Sequence, residues 1–239
     1  MEQSRGTFRI LAGMCGVAGP IILVGSFTMN PAPPPGLDPT ALAAWAAPRE
    51  TLILLGGWTQ GIGSLLIVVF AVAIAEIGGE ASPFGRLMTL LAAATILMVS
   101  LVEVAFYLAA GQAIAARDIA LGLVAQGLIR AVQHVFLIAP ALLLPLGVVI
   151  LKSRALPRAF GYSALAFGAI LQSLGLAGLI WNLQSVIDAV LIAQSAWFIF
   201  AGAALMLGPG TASKPHGRAS SAGRSGAREL QPRRWQFRA

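Results

Sequence analysis

Three ionisable side chains lie within stretches that are otherwise apolar, and their types could support chemistry: Glu103, Arg130 and His134. On a helix, Arg130 and His134 would share one face because they are four residues apart, and Tyr107 follows Glu103 at the same spacing. Histidine exchanges its proton near neutral pH, so this set could transfer a proton or hold a small polar solute.

Amide side chains extend this set into neighbouring apolar stretches. With a rise of about 1.5 Å per residue, these groups fall in the middle or outer half of membrane-spanning helices, whereas the inner half has almost none. Ionisable groups inside a membrane are costly and by default mark a pathway or a site. One interpretation of this asymmetry is a polar cavity open to the outer side. The predicted polar cluster comprises Gln60, Glu103, Tyr107, Arg130, His134, Gln172 and Gln194.

Two other interpretations stay open. The cluster could be a dry network in which Glu103 pairs with Arg130 or His134 and the amides satisfy the remaining groups. Catalysis is less favoured, because one His and one Glu are too few for a zinc site. Neither Ser100 nor Cys15 has the sequence signature of a nucleophile with a base. We predict no catalytic residue, metal or cofactor, and enzymatic activity is left open with a non-enzymatic role preferred.

The composition of the 239-residue chain indicates the environment of this cluster. Hydrophobic residues make up 57% and charged residues only 10%, whereas a soluble domain carries about 25% charged residues. This excludes a disordered chain, a collagen and an ordinary soluble enzyme. The single Cys excludes a disulfide scaffold and a multi-cysteine metal site.

Six apolar stretches are long enough to cross a bilayer as helices, which needs about 20 residues each. They lack the alternation of a membrane β-barrel, so an all-α, multi-pass transmembrane bundle is predicted. The first stretch is expected to be a retained helix rather than a signal peptide, because bulky Met14 precedes Cys15 and the apolar run continues beyond them. The predicted helices are 9–29, 51–76, 87–110, 127–151, 160–181 and 187–208.

Basic residues predict the orientation of this bundle. With the N-terminus inside, thirteen of the 16 basic residues fall in inside segments, and only Arg49 and Arg117 fall in outside loops. The positive-inside rule therefore predicts both termini in the cytoplasm, N-in and C-in. Arg outnumbers Lys fourteen to two and Ala and Gly are abundant. That composition is typical of a high-GC bacterial genome, so we expect a bacterial cytoplasmic membrane protein.

The chain divides into a transmembrane domain, 1–208, and a tail, 209–239. The tail is rich in Gly, Ser, Arg and Pro and is predicted to be a disordered basic cytoplasmic segment. It could bind anionic lipid headgroups. Nucleic-acid binding is not expected, since the basic residues are scattered and only Trp235 and Phe237 could stack on bases.

Prolines modify two further segments. In the long outer loop 30–50, Asp38 can cap a short interfacial helix over 41–47. Pro140 and Pro145 are expected to kink the fourth helix, because each removes a backbone donor and crowds a carbonyl.

The segment 143–161 carries a denser motif, LLPLGVVILKSRALPRAFG. It resembles a bacterial family of small integral membrane proteins, domain of unknown function 4386, whose members show "LLPLG" followed by "KS" and "LPR..G". The matching residues are Pro145, Gly147, Lys152, Ser153, Leu156, Pro157, Arg158 and Gly161. Glu103 resembles the acidic position of the family's third helix. The resemblance implies a bundle of about six helices and no assigned activity.

Small residues offer a second hypothesis of function. Gly57 and Gly61 form a GxxxG pair, and Gly161, Gly168 and Gly175 recur every seven residues. In lipid, such positions let helix backbones approach closely. The alternative to solute binding is therefore a structural or regulatory subunit that packs on another membrane protein, or on a second copy of itself.

Overall fold

The computed structural model shows an arrangement of α-helices, with no strand in the part of the chain that it describes. That part comprises residues 2–30, 37–138, 142–177, 180–181 and 184–208, without the side chains of 2–5, 130, 133–138, 184–185 and 187–188. In chain order the helices are α1 (Glu2–Met29), α2 (Pro39–Ala46), α3 (Glu50–Gly78), α4 (Pro83–Ala116), α5 (Ile119–Ile138), α6 (Leu143–Ser153), α7 (Arg158–Ala177) and α8 (Gln184–Leu207). A 3-10 turn, Ala47–Arg49, joins α2 to α3.

Five stretches in the described residues are long and apolar enough to cross a membrane. They correspond to α1, α3, α4, α7 and α8, close to five of the six predicted segments. The all-helical, membrane-type architecture predicted from the composition is therefore confirmed. The five stretches are Gly6–Met29, Pro39–Gly78, Pro83–Ala116, Arg158–Ala177 and Ala189–Leu207.

The predicted fourth segment, 127–151, falls on two helices. Helix α5 begins at Ile119, eight residues earlier than predicted, and α6 begins at Leu143. Pro145 lies in the first turn of α6, where a missing N–H costs little because no intrahelical acceptor is available there. Pro140 and the kink predicted at it lie outside the described residues.

A tight turn between α4 and α5 accounts for the earlier start of α5. Arg117 adopts a left-handed conformation with φ of 56°, and its N–H bonds to the end of α4. The Asp118 carboxylate then accepts a hydrogen bond from the Leu121 N–H at 3.0 Å. This is the geometry of a helix N-cap, so the segment predicted as an outer loop is helical almost throughout.

The short helix predicted after the Pro-rich loop is present as α2. Asp38 Oδ1 accepts a hydrogen bond from the Ala41 N–H at 2.8 Å, and Pro39 occupies the first turn. The Arg49 guanidinium lies 4.8 Å from the centre of the Trp45 ring, a cation–π contact. A Trp with a cationic neighbour is suited to a membrane–water interface.

Helix α3 is central to the arrangement. It packs against α1 on one side and α4 on the other, while α8 packs on α1 and α6 pairs with α7. The larger hydrophobic core forms where the second half of α3 meets α6 and α8, with Phe70, Ile74, Leu146, Phe198 and Leu205 fully buried. A smaller apolar cluster lies at the other end of α3.

Glycines bring the helices of the α6–α7 hairpin together. A Cβ at Gly147 would lie 2.8 Å from the carbonyl oxygen of Gly161, closer than real side chains approach. Arg154 ends α6 in a left-handed conformation, and α7 begins directly after Pro157. The motif that resembles the membrane-protein family therefore has an assembly role in this chain: it forms one tight helical hairpin.

Candidate functional site

A buried hydrogen bond joins two members of the predicted polar cluster. The Gln60 side-chain nitrogen on α3 donates to the Glu103 carboxylate on α4. Glu103 is 2% exposed and Gln60 is 3% exposed. Because the residues are 43 positions apart, the bond connects two membrane-type helices rather than two turns of one helix.

The GxxxG pair of α3 brings α4 close enough for this bond. A Cβ at Gly57 would lie 2.8 Å from the Cβ of Tyr107, and one at Gly61 would lie 3.0 Å from a methyl carbon of Val104. Gly57 and Gly61 flank Gln60, and Val104 and Tyr107 follow Glu103 within about one helical turn. The absence of side chains at the two glycines therefore sets the spacing at which Gln60 reaches Glu103.

Two serines that the predicted cluster did not include complete a polar layer with Gln60 and Glu103. Ser64 is 3% exposed and follows Gln60 by four residues; Ser100 is fully buried and precedes Glu103 by three. The Ser100 hydroxyl has no hydrogen-bond partner among the described residues. The helical spacing was the available signal, because residues three or four apart share a face.

This polar layer, defined as Gln60, Ser64, Ser100 and Glu103, separates the two hydrophobic clusters. Ile67 and later residues of α3 belong to the larger core, whereas Ile53 belongs to the smaller cluster. On α4, Ala92 and Ala93 belong to the larger core, and Tyr107 and Ala110 to the smaller one. The layer is therefore enclosed along both helices by apolar packing.

The other predicted site residues lie at different places. Tyr107 is buried in the smaller cluster, one turn from Glu103, and contacts α3 at Gly57. Gln172 and Gln194 are half-buried on α7 and α8.

The two basic members of the predicted cluster belong to α5. Helix α5 packs against α4, and Ala125 and Ile129 are buried beside Tyr107. Arg130 and His134 follow Ile129 on this helix, but their side chains lie outside the described residues. Their predicted pairing with Glu103 stays a prediction.

The chemistry available in the described layer is that of hydrogen bonding around one carboxyl group. Among the described side chains, no basic group forms an ion pair with Glu103. The ion pair that these side chains do form joins Arg86 and Glu76 at 2.9 Å, away from the polar layer. The described residues also contain no group of three His, Cys, Asp or Glu side chains that could hold a metal ion. The layer contains one carboxyl group, one amide and two hydroxyl groups.

Comparison of the chain with known protein families, with curated proteins and with solved structures finds no match.

Proposed function

We propose that the protein binds, senses or passes a small polar solute or a proton at the polar layer around Glu103. The observation that carries this proposal is a carboxyl group that is 2% exposed within an apolar helix of 34 residues, with an amide as its described partner. Placing an acidic residue at the centre of a spanning helix costs roughly 2.5–3.5 kcal/mol on insertion scales. An apolar contact between α3 and α4 would avoid this cost, so the carboxyl group calls for a role beyond packing.

The membrane arrangement belongs to the same proposal. Six crossings result if α5 and α6 together form one, and the distribution of basic residues supports both termini inside a bacterial cytoplasmic membrane. In this arrangement the loop around Asp38 and the α4–α5 turn are outside. The proposed relation to the family of domain of unknown function 4386 is supported by the motif in α6 and α7.

The unpartnered Ser100 hydroxyl supports a site that accepts a ligand or water. A buried hydroxyl without a partner costs about 1–3 kcal/mol in proteins. A water molecule or solute that bonds to Ser100 would remove this cost and would lie one helical turn from Glu103. A dry network instead requires the Ser100 hydroxyl to bond back to its own helix.

Thiol accessibility tests the proposal with little disturbance of the site. In a Cys15→Ala background, Ser64→Cys and Ser100→Cys introduce nearly isosteric thiols into the polar layer. A small membrane-impermeant methanethiosulfonate reagent is then applied to the reconstituted protein. The exposed Thr40, in the segment around Asp38 that this arrangement places outside, is replaced by Cys as the positive control, and the fully buried Ala71, replaced by Cys, is the negative control.

A wet site predicts that Ser100→Cys reacts far faster than Ala71→Cys, and that a solute bound at the layer slows this reaction. Proton passage is measured separately, as dye-reported proton uptake into vesicles under an imposed potential, and Glu103→Gln should abolish it. Labelling of Ser64→Cys and Ser100→Cys no faster than that of Ala71→Cys, together with unchanged proton uptake in Glu103→Gln, would show a dry structural network.

The glycines do not favour the alternative of a subunit that packs on another membrane protein. Gly57 and Gly61 contact α4, and Gly161 and Gly168 contact α6, all within the same chain. These contacts are already used in folding, so a partner would have to bind elsewhere on the bundle.

A further inference from the structure

A groove with a volume of about 400 Å³ runs between α1 and α3, away from the polar layer. Its walls are apolar: Phe8 and Leu11 line it on α1, and Val69 and Val72 line it on α3. Phe8, Leu11 and Val69 are exposed, so the groove opens on the surface of the helix bundle rather than into its interior.

The groove lies beyond a point at which the two helices are in close contact. A Cβ at Gly19 would lie 2.9 Å from the carbonyl oxygen of Gly63, and one at Gly63 would lie 2.7 Å from the Leu23 nitrogen. The backbones are therefore in contact there, and this contact closes the deep end of the groove. The buried small residues Ala12 and Ala73 form its floor.

The length of the groove matches one leaflet of a bilayer. On α1 it extends from Phe8 to Cys15, about 10 Å, and on α3 from Val68 to Glu76, about 12 Å. Half of a hydrocarbon core is about 15 Å thick. Both helices are apolar enough to cross a membrane, so the medium around the groove consists of acyl chains.

The open end of the groove carries a pair of opposite charges. Glu76 lines the groove, and its carboxylate forms an ion pair with Arg86 in which both side chains stay exposed, at 41% and 47%. An adjacent anion and cation at this level complement a headgroup that itself has an ammonium and a phosphate. A purely anionic headgroup would be attracted by Arg86 but repelled by Glu76.

We propose that the groove between α1 and α3 binds one acyl chain of a zwitterionic amine phospholipid, such as phosphatidylethanolamine, with its headgroup at the Glu76–Arg86 pair. The bound acyl chain fills the space between Phe8 and Leu11 on α1 and Val69 and Val72 on α3. This site is independent of the polar layer and does not depend on the function proposed for Glu103.

Photo-crosslinking in vesicles tests the site. The full chain is reconstituted with phosphatidylethanolamine that carries a diazirine in the middle of one acyl chain, and cross-linked residues are mapped by mass spectrometry. Leu11 and Leu101 are matched reporters because their exposures are 57% and 56%, and Leu101 on α4 lies outside the groove. We expect cross-links at Leu11 and Cys15 to exceed those at Leu101 several-fold.

Filling the groove should remove this excess. Val69→Trp places a large ring on the α3 wall and should reduce cross-linking at Cys15, whereas Leu101→Trp should leave it unchanged. If Val69→Trp fails to fold, Leu11→Trp fills the groove from the exposed wall of α1. Cross-linking at Cys15 no higher than at Leu101, or unaffected by a folded groove-filling variant, would overturn the proposal and leave only ordinary bulk lipid contact.

The headgroup is tested by substitution of the lipid. A photoactivatable phosphatidylglycerol with the same chain should cross-link to the groove about two- to fivefold less, the range expected for one exposed ion pair. Glu76→Gln should remove the preference for phosphatidylethanolamine over phosphatidylglycerol, and it should leave cross-linking at Leu101, outside the groove, unchanged. Equal or stronger cross-linking by phosphatidylglycerol to the unmodified chain would contradict the assignment of an amine headgroup.

Discussion

The buried Gln60–Glu103 bond makes a quantitative prediction about helix association. In a double-mutant cycle, Gln60→Leu leaves the Glu103 carboxyl without its described partner, and Glu103→Leu leaves the Gln60 amide without its partner. Each single variant should destabilise the protein by about 1–3 kcal/mol, the usual cost of an unsatisfied buried polar group. The double variant replaces both groups with apolar ones and should therefore destabilise the protein by less than the sum of the two single effects.

The expected coupling energy is about 1–2 kcal/mol. Measured hydrogen bonds between membrane helices average about 0.6 kcal/mol and reach about 1.7, while bonds to a charged group contribute about 1.5–3 in proteins generally. The Gln60–Glu103 bond belongs near the upper end of the membrane range, because both residues are almost fully buried.

The assay is reversible unfolding in mixed micelles with increasing SDS, followed by tryptophan fluorescence and circular dichroism. Thr59→Val provides the matched control, since Thr59 neighbours Gln60 but is only half-buried and its hydroxyl donates to its own helix. The effects of Thr59→Val and Glu103→Leu on the free energy of unfolding should be additive. If the effects of Gln60→Leu and Glu103→Leu on the free energy of unfolding are also additive, within about 0.5 kcal/mol, the argument that this bond holds α3 to α4 is refuted.

Three further predictions test the elements that position the site. Gly57→Ala should destabilise the protein by about 1–3 kcal/mol in the same unfolding assay, because its Cβ would lie 2.8 Å from Tyr107; Gly25→Ala, with open space around it, should be neutral or stabilising. Asp38→Ala should weaken α2 by about 0.5–2 kcal/mol, read as faster amide exchange over 39–46, and Asp38→Asn should preserve its protection. Arg117→Cys and Lys152→Cys, in a Cys15→Ala background, should be labelled from opposite sides of the membrane; labelling from the same side would show that α5 and α6 do not form one crossing.

Hydropathy predicted the helices within the membrane better than their ends. Helix α4 has 34 residues and is about 51 Å long, well beyond the roughly 30 Å of a hydrocarbon core. Its end at Ala116 and the start of α5 at Ile119 are set by Arg117 and by the Asp118 cap, not by hydropathy. The cap is visible in the sequence as an Asp before an apolar run, but the left-handed turn that joins the two helices is not.

The partner of Glu103 could not have been found from residue types alone. Charge complementarity favours Arg130 or His134, whose side chains lie outside the described residues, and it does not single out the neutral Gln60 that donates to Glu103. Gly57 and Gly61 mark the face of α3 that α4 approaches closely, at Tyr107 and Val104. The GxxxG pair and the polar residues were both recognised in the sequence, but their connection depends on a tertiary contact that spacing along one helix does not specify.

The position of the polar layer gives the strongest argument that it is more than a means of assembly. Apolar packing on both sides already holds α3 to α4, through Ile53 and Tyr107 at one end and through the larger core at the other. Replacing Gln60 and Glu103 together by apolar residues should therefore leave a folded bundle, with the bond adding to an association that apolar packing already provides. If the double variant is indeed stable but loses solute-dependent protection at Ser100→Cys or proton uptake, stability and function are assigned to different residues of the same interface.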